Sequence, residues 1–146
     1  MKLVICQTPA RIRHFNKVLP YQYYMAQILL WLYIINSVLL INHEIDSAYW
    51  KEWNLFRIPG GITFFLLTHF LIIFIILLGI MLLLQNKVYG LIISLLVALG
   101  GIFAFSIHVY FISKGHKEFK TFVSIFILSS TLIVSIFQLI FTVLSF

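Results

Sequence analysis

The sequence predicts an all-α integral membrane protein, in which four antiparallel transmembrane helices form a bundle. Of its 146 residues, 62% are hydrophobic and only 10% are charged. A soluble domain of this length cannot bury so much apolar surface, because much of any folded surface stays in contact with water. Four apolar segments are each long enough to cross a bilayer, which requires about 20 helical residues. We place the spans at residues 24–45, 61–84, 89–113 and 122–144, within one domain of residues 1–146.

Residues 8–20 predict a short interfacial helix before the first span. Basic and apolar side chains alternate there at spacings of three and four, which gives the helix one charged and one apolar face. A helix of this kind lies on a membrane surface. The apolar stretch within residues 1–7 is too short for the core of a signal peptide, so we expect the first span to act as its own insertion signal.

The first span carries polar residues toward its C-terminal end. Asn36, His43 and Asp46 are separated by seven and three residues, which places them on one face of the helix. Because polar side chains at membrane depth avoid lipid, this face should point into the bundle or toward water. Trp50 and Trp53 follow as interface anchors. From their position, His43 lies about 10 Å and Asp46 about 6 Å below the headgroup level.

The second span follows Pro59, Gly60 and Gly61, a combination that permits a tight return into the membrane. Its single ionisable residue is His69. Only a short turn, residues 85–87, connects it to the third span, so these two spans are expected to be antiparallel neighbours.

The third and fourth spans each carry a stripe of small or polar residues at steps of three and four. The stripe of the third span consists of Gly90, Ser94, Ala98, Gly101, Ala104 and His108. The stripe of the fourth span consists of Ser124, Leu128, Thr131, Ser135, Gln138, Thr142 and Ser145. Small residues let helices approach closely in lipid, and hydroxyl groups form hydrogen bonds between helices. Both stripes are therefore expected to face other helices.

The net charge of +6 comes from basic residues at the ends of the spans. Such residues anchor helix ends against lipid headgroups, so the partner they indicate is the lipid bilayer and not a nucleic acid. Lysine and arginine divide five against five between the two membrane sides. The more basic N-terminal flank favours both termini in the cytoplasm. The lone cysteine, Cys6, excludes an intrachain disulfide.

Three histidines and an aspartate converge toward the membrane face opposite the termini. His43, Asp46 and His108 are expected at similar depth, with His69 one or two turns deeper. Ionisable groups in a membrane are costly, by about 2.5–3.5 kcal/mol on insertion scales, and mark functional sites. We therefore predict a polar pocket, whose candidate residues are Asn36, His43, Asp46, His69, His108 and Gln138.

Three interpretations of this pocket stay open. In the first, His43, Asp46 and His108 bind a divalent metal ion such as zinc, iron or manganese, since imidazole and carboxylate groups suit these ions. In the second, a histidine and a carboxylate act without a metal as an acid–base pair on a lipid-soluble substrate. In the third, the polar residues serve helix packing or homo-oligomerisation in an accessory membrane protein. Glu44 is expected to face away from His43, and Glu52 to be an exposed loop residue.

The chain resembles a family of uncharacterised bacterial membrane proteins with four spans. The resemblance rests on the sequence His-Glu-Ile-Asp-Ser-Ala-Tyr-Trp-Lys-Glu-Trp at residues 43–53, on the Pro-Gly-Gly at residues 59–61, and on His69 and His108. It covers about residues 24–138 and implies four transmembrane helices without an assigned activity.

Two looser likenesses concern the pocket. The pattern His43-x-x-Asp46 is similar to that of the HXXEE membrane proteins, which implies metal binding, although the paired glutamates of that pattern are missing here. The combination of four spans, acids and histidines also resembles the sterol isomerase group, whose members are membrane bundles around an apolar pocket. That likeness implies acid–base chemistry on an apolar substrate.

Overall fold

The computed structural model describes residues 9–85, 87–116 and 119–146, with side chains described from residue 21 onward. Within these residues all regular structure is helical. The helices are α1 (Pro9–Tyr49), α2 (Glu52–Leu55), α3 (Gly61–Leu84), α4 (Val88–Ser113) and α5 (Phe122–Leu144). Segments of four helices are long and apolar enough to cross a membrane, namely Tyr21–Tyr49, Gly61–Leu84, Val88–Ser113 and Phe122–Leu144. The prediction of an all-α, four-span integral membrane protein is confirmed.

Helix α1 differs from the prediction at both ends. It begins at Pro9 and continues through Pro20, so residues 9–20 join the first span without a break and do not form a separate helix. Thr8 lies outside the described residues. At the other end, α1 continues to Tyr49, beyond the predicted end at residue 45. The location of residues 9–20 on the membrane surface stays a prediction.

Helix α5 packs against α1 and α4 through its polar stripe. The side chains of Ser124, Leu128, Thr131, Ser135, Gln138 and Thr142 are buried, as the sequence predicts. On α4, the buried residues include Gly90, Ser94, Ala98, Gly101 and His108. A methyl group at Gly101 would overlap the Ser135 hydroxyl, so this close helix pair requires glycine there.

A network of hydrogen bonds lies in the middle of the bundle, and we call it the central network. The Asn36 amide of α1 donates to the Ser135 hydroxyl at 3.0 Å and to Gln138 Oε1 at 2.7 Å. Gln138 in turn donates to the backbone carbonyl and the hydroxyl of Ser94, both at 3.0 Å. The Ser94 and Thr142 hydroxyls are 2.8 Å apart. These bonds join α1, α4 and α5 and fix the register of the three helices.

Helices α3 and α4 are close together at the turn that joins them, and farther along both of them line a cleft. At the turn, a methyl group on Gly90 would lie 2.6 Å from the Leu83 backbone nitrogen. Deeper in the bundle, the Tyr33 hydroxyl of α1 donates to the Ile76 carbonyl at 2.8 Å. Beyond this point a cleft of about 470 Å³ opens between α1, α3 and α4. It extends toward α2, at the end of the bundle where His43, Glu52 and His69 lie.

Candidate metal centre and the adjoining cleft

His43 of α1 and His108 of α4 meet inside the bundle. Their ring centroids are 4.7 Å apart at an interplanar angle of 67°. His43 is 3% exposed and His108 is fully buried. His43 is on the face of α1 that also carries Asn36, and His108 ends the small-residue stripe of α4, so the packing of these two faces brings the imidazoles together.

Glu52 of the short helix α2 completes this group. The chain leaves α1 at Tyr49 and reverses at Lys51, which has a left-handed backbone conformation with φ of 54°. The reversal turns Glu52 back toward the bundle, where its Oε1 lies 4.0 Å from His108 Nε2. One ligand atom from each of His43, Glu52 and His108 lies within 4.8 Å of the other two. We call these three residues the His–Glu–His group.

Three imidazole nitrogens of this group are buried without a hydrogen-bond partner among the described residues. Among the described residues, His43 Nδ1 and both ring nitrogens of His108 have no hydrogen-bond partner. The large majority of buried polar side-chain atoms in proteins are hydrogen-bonded, so three unpartnered nitrogens in two adjoining rings are unusual. Burial raises the pKa of the Glu52 carboxyl above its ordinary value, while the neighbouring Ser47 hydroxyl acts in the opposite direction. Hydrogen bonds among the described residues therefore do not offset the cost of burying these nitrogens.

Phe119 closes the group from the side of the α4–α5 loop. Its ring stacks on His108 with a centroid distance of 4.0 Å and an angle of 21°, and it lies 6.4 Å from the His43 ring. The side chain is buried although it comes from a loop. Its backbone has φ of 64°, a conformation that is strained for an aromatic residue. Strain of this kind persists where the surrounding structure holds it, and here the buried ring covers one face of the His108 imidazole.

A second ionisable pair lies at the outer end of the cleft. Glu44 Oε2 of α1 is 2.6 Å from His69 Nε2 of α3. The other ring nitrogen of His69, Nδ1, lies 2.7 Å from the Phe65 carbonyl, which can only accept a hydrogen bond. Nδ1 therefore carries a proton, and Nε2 and the Glu44 carboxyl share a single second proton between them.

The cleft has one polar end and one apolar end. Its ionisable residues, His43, Glu44, Glu52 and His69, all lie toward α2. The deeper walls are formed only by apolar residues of α1, α3 and α4: Leu40, Ile72, Ile75, Ile76, Leu96 and Val97. A site with this distribution can accept an amphiphilic molecule.

The structure brings together some of the residues that the sequence singles out and separates others. His43 and His108 adjoin, and His69 is paired with Glu44 in the cleft. Asp46 is outside the His–Glu–His group: its Oδ1 accepts a hydrogen bond from Trp50 Nε1 at 3.2 Å. Asn36 and Gln138 hydrogen-bond each other in the central network and do not line the cleft.

Three residues of the site were missed, namely Glu44, Glu52 and Phe119. The expectation that Glu52 is exposed is wrong, because its side chain is only 14% exposed. The reversal at Lys51 caused this error, since nothing in the residue types announces a left-handed backbone at a lysine. Phe119 also escaped notice. The sequence does contain a signal for Phe119, because it is the one large apolar residue in the polar loop of residues 114–120.

Comparison with known proteins places the chain in a family but gives no activity. The model of a family of unknown function, DUF6713, matches residues 29–145, which is well over half of the chain. Comparisons with curated proteins and with solved structures gave no match. The matched residues include all four spans in whole or in large part, together with both ionisable groups of the site. This four-span membrane protein belongs to the DUF6713 family of unknown function.

Proposed function

We propose that this protein binds a divalent transition-metal ion at His43, Glu52 and His108. The observation that carries the proposal is the set of three buried imidazole nitrogens without a described partner, beside a carboxylate. A metal ion would take one nitrogen from each imidazole together with a Glu52 carboxylate oxygen, which a hydrogen-bonded water molecule would hold less strongly. The three residues come from α1, α2 and α4, so the site exists only in the folded bundle.

The donor set narrows the choice of metal and of chemistry. Two histidines and one glutamate are the protein ligands of a class of catalytic zinc sites, in which a fourth position is left for water or substrate. Two histidines and one carboxylate also hold ferrous iron in oxygen-using enzymes. A bound ion of this kind would act as a Lewis acid or activate a water molecule. The sequence favours Asp46 as the carboxylate ligand, whereas the distances favour Glu52.

Elemental analysis of the purified full chain tests the proposal. We expect about one equivalent of zinc, iron or manganese in the wild type, and its loss in His43→Ala, His108→Ala and Glu52→Gln. Asp46→Asn is the matched control and should keep the metal. Absence of metal from folded wild-type protein, before and after incubation with each ion, would overturn the proposal. Loss of metal in Asp46→Asn but not in Glu52→Gln would restore the ligand set that the sequence predicts.

A second candidate function rests on the Glu44–His69 pair. With a shared proton beside an apolar cleft, the pair has the composition of an acid–base catalyst for a lipid-soluble substrate. The test is incubation of metal-depleted protein with an unsaturated sterol in D₂O, followed by mass spectrometry of the sterol. Deuterium incorporation that is lost in His69→Gln would support this function, and absence of incorporation would exclude it for sterols.

The accessory or structural alternative is distinguished by the same variants. If His43 served packing alone, His43→Ala would lower the unfolding temperature without the loss of a metal. For location, we propose the plasma membrane of a bacterium, which the family resemblance implies, and both termini in the cytoplasm, which the basic N-terminal flank favours. Labelling of single cysteines placed at either end of the bundle with a membrane-impermeant reagent in intact cells tests this orientation.

A further inference from the structure

The cleft opens sideways, between α3 and α4, toward the lipid. Several of its lining residues are also on the outer faces of these two helices: Ile72 is 42%, Ile75 is 45%, Leu96 is 58% and Phe103 is 66% exposed. Its floor is closed, because Leu40 of α1 is buried. A molecule can therefore enter this cleft from the membrane interior without crossing the headgroup region.

The length and polarity of the cleft match a hydrocarbon chain with a small polar end. From Leu96 to Ile107 along α4, the lining extends about 16 Å, at 1.5 Å per residue. The inner part is bounded by aliphatic side chains from three helices, while the ionisable residues lie at the outer end. A hydrocarbon chain in the inner part would replace lipid contacts, and its polar end would reach the Glu44–His69 pair.

The Glu44–His69 pair selects the chemistry of that polar end. His69 Nδ1 donates to the Phe65 carbonyl and the second proton lies between His69 Nε2 and Glu44 Oε2, so the group that this pair offers to a ligand is the Glu44 carboxyl, as an acceptor. A hydroxyl group can donate to this carboxyl without breaking the bond between Glu44 and His69. A carboxylate or phosphate would instead meet the two carboxyl groups of Glu44 and Glu52, which line the same end.

We propose that the cleft binds the hydrocarbon chain of a neutral, single-chain lipid, and that the Glu44 carboxyl, which His69 holds in place, accepts a hydrogen bond from its hydroxyl group. This site adjoins the metal centre, because His43 and Glu52 also line the cleft, but neither Glu44 nor His69 belongs to the His–Glu–His group. The proposal therefore goes beyond metal binding and stands without it.

Gly100 of α4 provides a clean way to block the cleft. It lines the cleft, and a methyl group placed on it would have no atom within 4 Å. A large side chain at this position can occupy the space without pushing against the neighbouring helices. Leu99, the preceding residue, is 47% exposed and does not line the cleft. Gly100→Phe and Leu99→Phe therefore form a matched pair of variants.

The experiment uses a long-chain primary alcohol with a diazirine in its chain, photolysed with the full chain in detergent. Mass spectrometry of peptides should locate the label at residues 72–76 of α3 and 96–100 of α4. Labelling there should fall about tenfold in Gly100→Phe and stay unchanged in Leu99→Phe. Equal labelling of these two variants, or labelling spread evenly over the exposed faces of all helices, would overturn the proposal.

The polar end is tested with a second probe and a second pair of variants. The matching fatty acid, with the same diazirine chain and a carboxylate end, should label several times less than the alcohol. Glu44→Leu and His69→Leu should reduce labelling by the alcohol, with their unfolding temperatures recorded to show that the variants are folded. Stronger labelling by the fatty acid would refute the assignment of a neutral hydroxyl-bearing lipid.

Metal analysis of the same samples separates the failure of this proposal from the failure of the metal centre. His108→Ala should lose metal and keep labelling, whereas Gly100→Phe should keep metal and lose labelling. If no sample contains metal but the alcohol still labels the cleft, only the metal proposal fails. If metal is bound and Gly100→Phe labels like the wild type, only the lipid proposal fails.

Discussion

The central network and the His–Glu–His group are both buried, polar and shared between α1 and α4, yet they differ in how their atoms are satisfied. In the central network, the amides of Asn36 and Gln138 are paired with each other and with serine groups. In the His–Glu–His group, three imidazole nitrogens lack a partner among the described residues. An unpaired buried polar atom costs about 1–3 kcal/mol. Hydrogen bonds therefore satisfy the first cluster, whereas the cost of the second is not offset by hydrogen bonds among the described residues.

The largest effect that distinguishes the two clusters should be stabilisation by metal. Zinc added to metal-depleted wild type, at a free concentration about 100 times Kd, should raise the free energy of unfolding by about 2.7 kcal/mol, because the ion binds only the folded state. The measurement is unfolding in increasing sodium dodecyl sulfate. His108→Leu should show no such gain, while the exposed His116→Ala should respond like the wild type. An equal gain in His108→Leu would mean that zinc binds elsewhere.

The next effect concerns the central network, whose stability should not depend on metal. Asn36→Ala removes one partner each from Ser135 and Gln138 and should lower the free energy of unfolding by about 2 kcal/mol, with or without zinc. Asn42→Ala is the matched control, because Asn42 is exposed and its side-chain amide donates to the Val38 carbonyl of its own helix. If zinc abolished the loss of unfolding free energy in Asn36→Ala, the two clusters would be energetically coupled, and the proposed difference between them would be wrong.

Phe119 provides another test of the difference between the two clusters, because its ring stacks on His108 of the His–Glu–His group. Phe119→Ala opens this group to water, and release of bound metal to a chelator should become about tenfold faster or more. The change should leave the central network unaffected. The control is Phe122→Ala, since Phe122 is 84% exposed. Unchanged release from Phe119→Ala would show that its ring does not limit access to the site.

The sequence predicted which helical faces form the central network, and it predicted that His43 and His108 point into the bundle. Residues on long helices have a fixed angular position, so spacings of three, four and seven are enough to place Asn36, His43 and His108 toward the bundle interior. The sequence led us to expect His69 one or two turns deeper than His43, whereas the structure pairs His69 with Glu44, the residue next to His43.

The parts that the sequence did not predict all depend on loops or on the lateral position of a helix. Glu52 reaches the site through a left-handed residue at Lys51, and Phe119 itself has positive φ. Such conformations are rare outside glycine, so residue types give little warning of them. The ligand cluster therefore contained Asp46 in the prediction, whereas the close carboxylate in the structure is Glu52. The Glu44–His69 pair was missed because it depends on the lateral position of α3, which helical periodicity does not determine.

The smallest expected effect is the change in stability of the metal-free protein when Glu52 is replaced. Burial disfavours the Glu52 carboxylate, so the neutral Glu52→Gln should be as stable as the wild type or more stable by less than about 1 kcal/mol. Glu44→Gln provides the opposite case, because it breaks an ion pair of 2.6 Å with His69 and should destabilise. The measurement is unfolding in sodium dodecyl sulfate with a chelator present. If metal-free Glu52→Gln were instead clearly less stable than the wild type, Glu52 would be held by the protein alone. The His–Glu–His group would then resemble the central network, and its need for a ligand would vanish.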